Sequence, residues 1–405
     1  MKNGNRYLKS MRCSSALALG LAACGLALPA CKSSQHDQPR VPLTSEATAN
    51  AEPLRFAQFN IALYSRDRDP DEVARRLATR NDRQLQKVAA IIQSVRPDVL
   101  LINEIDHDPT GRIAELLQSN YLGVPQGEGL EPITYVYTYS PPVNTGVSSG
   151  IDLDNDGRID GPGDAYGWGH YRGQYGMLFL SRLEGAEHLP FRDWRELRWS
   201  ASFDLPLIPT DWYSPEAISA MRLSSKTHAV VASRFEGQFF GIHMSHPTPP
   251  GFDGPEDRNG KRNYDEIGLI VDNLAELAPM PMVVMGDLNA DPNDGQSIPG
   301  AIQQLRGHPR MVDPQPRSRG AVAKALADGG INAEHGTDPA LDAADWGDQP
   351  PRGSGNLRVD YVLPTREWTV VDAGVFWPMP DEPGHEWIDA SDHRLVWVDL
   401  TLNSD

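Results

Sequence analysis

The sequence predicts one mixed α/β domain behind a short exported leader. Three observations carry that prediction. Short apolar runs alternate with segments of helical period along the body. No composition break or flexible linker divides the chain after about residue 52. The three cysteines, Cys13, Cys24 and Cys31, all precede the body, which therefore has neither disulfides nor thiol chemistry.

The leader comes first. Lys2, Arg6, Lys9 and Arg12 form a basic region, followed by an Ala/Leu run and small residues before cysteine. Residues 1–31 read as a secretory signal peptide of lipoprotein type. The run is too short and too rich in Ala and Gly for a spanning helix. "LAAC" ends at Cys24 and "LPAC" at Cys31, and each resembles a bacterial lipoprotein cleavage box whose cysteine becomes lipidated. Lipid at either cysteine, or secretion without lipid, stays open. The expectation is an exported protein, either an envelope lipoprotein (periplasmic or outer-membrane tethered) or secreted. Any membrane contact runs through the N-terminal lipid, and no protein partner is evident. Residues 32–52 read as a polar linker and 53–405 as the domain.

Within the body, "LRFAQFNIALY" (Leu54–Tyr64) reads as a strand that surfaces at Asn60. "NDRQLQKVAAIIQSV" sets Leu85, Val88, Ile92 and Val95 at helical spacing, with Asn81 as N-cap and Pro97 as stop. "DVLLINEID" is a buried strand with Glu104 at its end. A Gly- and Pro-rich stretch from about 123 to 174 contains a Gly/Asp-rich insertion near 142–174. "YGMLFLSR" resumes strand character. "THAVVASRFEGQFFGIHMSH" reads as two strands joined near Glu236-Gly237. "YDEIGLIVDNLAEL" puts Ile267, Ile270, Leu274 and Leu277 on one helical face and feeds a strand at Met282–Met285. Residues from about 292 to 356 read as loop-rich with no element assigned, and "LRVDYVLP" and "HRLVWVDL" as two last strands.

The formal net charge of -18 argues against a general grip on polyanions, which needs Lys and Arg to neutralise phosphates. It is compatible with divalent cations. Eight polar residues interrupt or end apolar runs: Asn60, Glu104, His246, Asp287, Asn289, Asp360, Asp392 and His393. A lone strand-terminal Asp or Asn is an ordinary turn cap. Together these residues make coherent chemistry, because a carboxylate beside apolar runs must find a partner or a metal. Glu104 and Asp392 are hard oxygen ligands suited to Mg²⁺ or Mn²⁺, and Asn60 adds a neutral oxygen. In "GDLN", Asp287 and Asn289 point to the same side if strand geometry persists, so an acid can hold water while an amide steadies a phosphate oxygen. Gly286 would let the backbone turn there. His393 suits proton transfer near neutrality, and Asp360 would orient it; a salt bridge to Arg358 is the plainer reading of Asp360.

The ordered set "FNIALY", "LLINEID", "SHPTPP", "MGDLNADP", "RVDYVL" and "SDHRLVWV" resembles the endonuclease/exonuclease/phosphatase (DNase I-like) superfamily over about Leu54 to Leu402, in a secreted bacterial branch. The resemblance implies a four-layer α/β/β/α sandwich with its site at one end of two packed sheets. It implies Asn60, Glu104 and Asp392 as metal ligands and Asp287 as the water-activating acid. Asn289 becomes the phosphate-contacting amide, Asp360 the orienting acid and His393 the catalytic histidine. The family also expects a His or Tyr after a central strand. "GIHMSHPTPP" offers His246 at the strand exit, the favoured candidate, and His243 within the strand, which reads equally as a core histidine or a substrate contact. Arg182, ending "FLSR", is a further candidate phosphate contact, and Arg258, Lys261 and Arg262 a candidate basic patch.

"DLDNDGRID" matches the first part of an EF-hand-type calcium loop through Asp152, Asp154, Asp156 and Asp160. Its twelfth position is Gly163 instead of Glu, with Asp164 one place later, and no helix pair flanks it. A structural Ca²⁺ would stiffen the insertion; a solvated acidic turn is the alternative. The function expected is a metal-dependent phosphoesterase, most simply a phosphodiesterase, acting on nucleic acid, a phospholipid headgroup or a small phosphate ester. The competing expectation is a non-catalytic calcium-binding envelope module on a degenerate phosphoesterase fold.

Overall fold

The computed structural model describes residues 52–252, 254–347 and 353–403. The signal and nearly all of the linker lie outside them. In chain order the elements are β1 (Leu54–Leu63), α1 (Glu72–Ala78), α2 (Arg83–Val95), β2 (Val99–Ile105), α3 (Arg112–Leu117), β3 (Tyr137–Tyr139), β4 (Met177–Ser181), β5 (Glu187–Asp193), α4 (Pro215–Ala220) and β6 (His228–Phe235). They continue with β7 (Gln238–Ser245), α5 (Arg258–Glu276), β8 (Met282–Asp287), α6 (Ala301–Arg306), α7 (Arg319–Asp328), β9 (Ala344–Trp346), β10 (Gly355–Leu357), β11 (Asp360–Pro364), β12 (Trp368–Val375) and β13 (Val396–Leu402).

Two large sheets form among the described residues, in the orders β12-β13-β1-β2-β4-β3 and β11-β8-β7-β6-β5, and β9 pairs with β10 apart from them. Each contains one parallel pair, β1 with β2 and β7 with β8, among antiparallel neighbours. A parallel pair needs a crossover, and α1–α2 supply one while α5 supplies the other. The four parallel strands all point toward the end of the sandwich where the polar residues gather.

Alternation along the strands separates the layers. Phe56, Leu101, Phe179, Ile242, Val283 and Met285 face inward and form the core between the sheets. Phe59, Ile61, Leu100 and Ile102 face outward and pack on Val88 and Ile92 of α2. On the second sheet Val230, Val284 and Leu363 face outward onto Ile267, Ile270 and Leu274 of α5. The arrangement is the expected α/β/β/α sandwich.

Local chemistry sets the element ends. Asp82, not Asn81, caps α2: its side chain accepts from the Leu85 amide, and Arg96 closes the helix in the left-handed conformation. The hairpin between β6 and β7 turns on Glu236 and Gly237, both at positive φ. Helix α5 starts at Arg258, about two and a half turns before its apolar periodicity begins at Ile267. The segment read as loops contains α6, α7 and the β9–β10 hairpin, and "LRVDYVLP" divides between β10 and β11. Strands β5 and β12 were not expected. Both are edges; β5 is mostly exposed and carries Pro190 beside a register shift, and β12 is buried chiefly at its two ends.

Candidate active site

The carboxyl ends of β1, β2, β7 and β8 supply Asn60, Glu104, His246 and Asp287. Asp360 opens β11 directly opposite Asp287 in the ladder, and the turn before β13 brings in Asp392 and His393. Asp287 is the hub. Its Oδ2 accepts from Asn60 Nδ2 at 3.0 Å and lies 3.4 Å from His246 Nε2 and 3.8 Å from His393 Nε2. The other ring nitrogen of His393, Nδ1, is 2.8 Å from Asp360 Oδ2. Segments more than 300 residues apart in sequence thus meet around one oxygen.

The backbone bends where these groups must be aimed. Glu104 and Asn289 have φ of 55° and 52°, left-handed values uncommon for residues other than glycine and concentrated at functional positions. The turn expected at Gly286 falls at Asn289 instead. Gly286 stays within β8, and its lack of a side chain answers a different need: a Cβ there would stand 2.0 Å from the Ser245 carbonyl oxygen. Asn289 still returns to the site. Its amide nitrogen on the backbone donates to Asp287 Oδ1 at 3.0 Å and its Nδ2 to the Pro247 carbonyl at 3.2 Å.

Burial opposes the ionised form of Asp287, but His393, His246 and Asn60 outweigh it and hold the carboxyl well below the usual range. Burial likewise opposes a charged His393, yet Asp360 and Asp287 lift its pKa to about 10. His246 moves the other way, to about 4, because burial and nearby Lys226 disfavour its charge. At neutral pH the site therefore contains an ionised Asp287, a protonated His393 and a neutral His246.

Glu104 and Asp392 line a cavity of about 1640 Å³, together with Asp287, Asn289 and His393. Burial pushes Glu104 up to about 7, with Asp287 and Asp392 adding repulsion. Its nearest cation-forming group is His246, 3.9 Å away and neutral. A carboxylate so placed calls for a cation, so the donor set fits a divalent metal held by oxygen ligands. Asp392 is exposed to the cavity and braced by Trp346 Nε1 at 3.0 Å. Asn60 Oδ1 accepts from the Ala62 amide and keeps one lone pair free. Asp287, Asp360 and His393 also bring ligand atoms within 4.8 Å of one another, but the His393–Asp360 bond uses that pair for orientation.

Two predicted substrate contacts lie elsewhere. Arg182 pairs with Asp98 at 2.7 Å, at the opposite end of β2 from Glu104. His243 is fully buried on the α5 side, with Nε2 3.2 Å from Asn273 Nδ2 and its ring stacked on Trp194. A spacing of three residues puts the two on opposite faces of the sheet, so His243 is a core histidine and His246 lies with Asp287. Of the basic patch, Arg262 is buried and donates to the carbonyls of Leu223, Tyr166 and Arg222. In the insertion, Asp152, Asp154 and Asp156 gather within 4.8 Å, while Asp160 turns to Arg158 and Asp164 is buried, accepting from the Leu153 and Gly161 amides.

Four participants were not anticipated. Gln58 donates to Asn103 Oδ1 at 2.8 Å beneath the site. Glu266 of α5 accepts from the amides of Ser225 and Thr248, tying the segments before β6 and after β7 together. Lys226 lines the cavity. A single Lys or Gln in an apolar sequence has no spacing signal by which to find it.

A sequence model described as the Endonuclease/Exonuclease/phosphatase family matches residues 57–393. No curated protein matches the chain. Among solved structures, the chain is similar to an endonuclease/exonuclease/phosphatase from Beutenbergia cavernae, at 20% identity and TM-score 0.47, covering 87% of this chain and 72% of that one. It is also similar to the human Nocturnin catalytic domain with bound sulfate anion, at 16% identity and TM-score 0.46, covering 87% and 94%. A third is D. rerio TDP2 complexed with single-strand DNA product, at 13% identity and TM-score 0.43, covering 86% and 99%. With the family match running through every strand end that builds the site, the chain belongs to the endonuclease/exonuclease/phosphatase family.

Proposed function

We propose that this protein is a metal-dependent phosphoesterase that hydrolyses phosphodiesters with an activated water. The family acts on phosphoester bonds and generally uses divalent metal ions. The observation that carries the finer reading is the convergence of Asn60, His246 and His393 on one oxygen of an ionised Asp287.

Asn60, Glu104 and Asp392 would hold Mg²⁺ or Mn²⁺, which when bound supplies positive charge to a non-bridging phosphate oxygen. The chain's own groups do the rest. Asp287 accepts a hydrogen bond from water and directs its lone pair at phosphorus. Asn289 donates its side-chain amide to a phosphate oxygen, and neutral His246 donates one ring N–H. His393, fixed by Asp360, presents the one charged proton donor of the set, to a phosphate oxygen or the departing group. A Ca²⁺ at Asp152, Asp154 and Asp156 would stiffen the insertion and take no part in the chemistry. The leader supports an exported protein tethered to the cell envelope or secreted.

The test is hydrolysis of a chromogenic phosphodiester by wild type and Asp287→Ala, with Mg²⁺ or Mn²⁺ titrated in. Activity in the folded Asp287→Ala protein overturns the assignment. Extending the wild type to DNA, RNA, phospholipids and phosphate monoesters sorts the substrate classes.

A further inference from the structure

Lys226 occupies an unusual position. It lies in the short segment before β6, is 6% exposed, and lines the same cavity as Asp287 and Asn289. Buried lysine is rare unless paired. Among the described residues no carboxylate stands at ion-pair distance from its ammonium. Its single hydrogen bond goes to the Pro247 carbonyl at 3.5 Å, the long limit for such a contact.

That carbonyl is shared. Asn289 Nδ2 donates to the same Pro247 oxygen at 3.2 Å. Two donors, one of them cationic, therefore converge beside Asp287 and divide a single neutral acceptor between them. An ammonium has three donors and the carbonyl satisfies one. An incoming anionic oxygen could take both groups at once, at little cost to the fold. Burial presses against the charge of Lys226, and Glu266, Glu104 and Asp287 support it from a distance. Glu266 is itself occupied by the amides of Ser225 and Thr248. Of the other cavity-lining cations, Arg222 is bound to Asn144 and the Tyr166 ring, Arg262 to three backbone carbonyls and His393 to Asp360, while Arg258 reaches the Leu153 carbonyl and keeps its Nε unpaired.

We infer that Lys226 is a substrate-binding residue, donating from its ammonium, alongside the Asn289 amide, to an anionic oxygen of the bound phosphoester. This rests on the phosphoesterase reading and adds to it a cation supplied by the chain itself. A lysine that served only to balance Glu266 would have no need to face the cavity.

The experiment separates the two readings. Inorganic phosphate is titrated calorimetrically into the full chain, as wild type, Lys226→Met, Lys226→Arg and the double variant Lys226→Met/Glu266→Gln. The same proteins are assayed on the chromogenic diester for kcat and KM, and their Tm is recorded. Loss of a charge-assisted hydrogen bond is expected to weaken phosphate binding roughly ten- to hundredfold in Lys226→Met, with partial recovery in Lys226→Arg. Unchanged phosphate affinity in Lys226→Met overturns the inference. Should that variant not fold, the double variant removes the buried charge with its counter-charge, and wild-type phosphate affinity there overturns it equally. Phosphate binding that depends on Lys226 in a protein inactive on every diester would sink the reaction and leave the anion site standing.

Discussion

Asp287, Asp360 and His393 reach one another from three distant strand ends, while Asp152, Asp154 and Asp156 come from five consecutive residues. The first group is buried and each member has a protein partner; in the second, two of three members are exposed and the loop's own amides bind their oxygens. In the buried group neighbours decide protonation, pushing Asp287 down and His393 up. The contrast separates groups gathered by tertiary packing from groups gathered by one turn. Groups that tertiary structure assembles acquire distinct protonation states, as Asp287 and His393 do.

The largest difference between the groups should appear on losing one acid from each. Asp287→Ala is expected to reduce diester hydrolysis by at least about a thousandfold with the fold intact. Similar activity in Asp287→Ala and wild type would erase the distinction.

Orientation is the next measure. Asp360→Asn keeps the shape but removes the charge that fixes the His393 imidazole, and should lower kcat by roughly ten- to hundredfold. It should also bring the pKa of His393 down from about 10, visible by NMR titration of the imidazole. An unmoved titration would show that Asp360 does not set the proton on His393.

Glu104 sharpens the comparison through stability. Its folded pKa, about 7, lies above the ordinary value of 4.5, so the folded protein binds the extra proton. In metal-free protein that raised value lowers stability progressively as pH climbs from 4.5 to 7. Glu104→Gln should therefore raise the Tm of metal-free protein by roughly a few degrees at pH 8, with little change at pH 4, while abolishing the stabilisation by Mg²⁺ or Mn²⁺. Differential scanning fluorimetry in EDTA and in metal reads both. An equal Tm shift with metal in both proteins would remove Glu104 from the ligand set.

The smallest effect is expected in the loop. Ca²⁺ should protect the insertion from limited proteolysis in wild type and not in Asp154→Ala, with diester hydrolysis in the two agreeing within about twofold. Identical protection in both would leave the loop a solvated turn.

Much of this architecture was legible because it rests on period. Strands β1, β2, β4, β6, β7 and β8 and helix α2 announce themselves as apolar runs or as i, i+3, i+4 spacing, and each site residue breaks such a run at its end. Elements without a clean buried face were not legible. Helix α1 buries only Val73 and Leu77 among charged neighbours, and β12 is an edge whose buried residues sit chiefly at its two ends. The site divides the same way. Asp287 stood out against the apolar strand it ends. His243 and His246 could not be separated by sequence alone, because the outcome depended on where β7 stops. Lys226 became visible only when folding enclosed it beside Asn289.

The contact at Gly286 has a consequence for how this site can change. The backbone of β7 passes so near that even a methyl group at that position would collide with the Ser245 oxygen. The gap between the histidine leaving one strand and the acid ending the next is thus gauged by a hydrogen atom. Enlarging the residue between them would wedge the strands apart and undo the alignment without altering any reactive group.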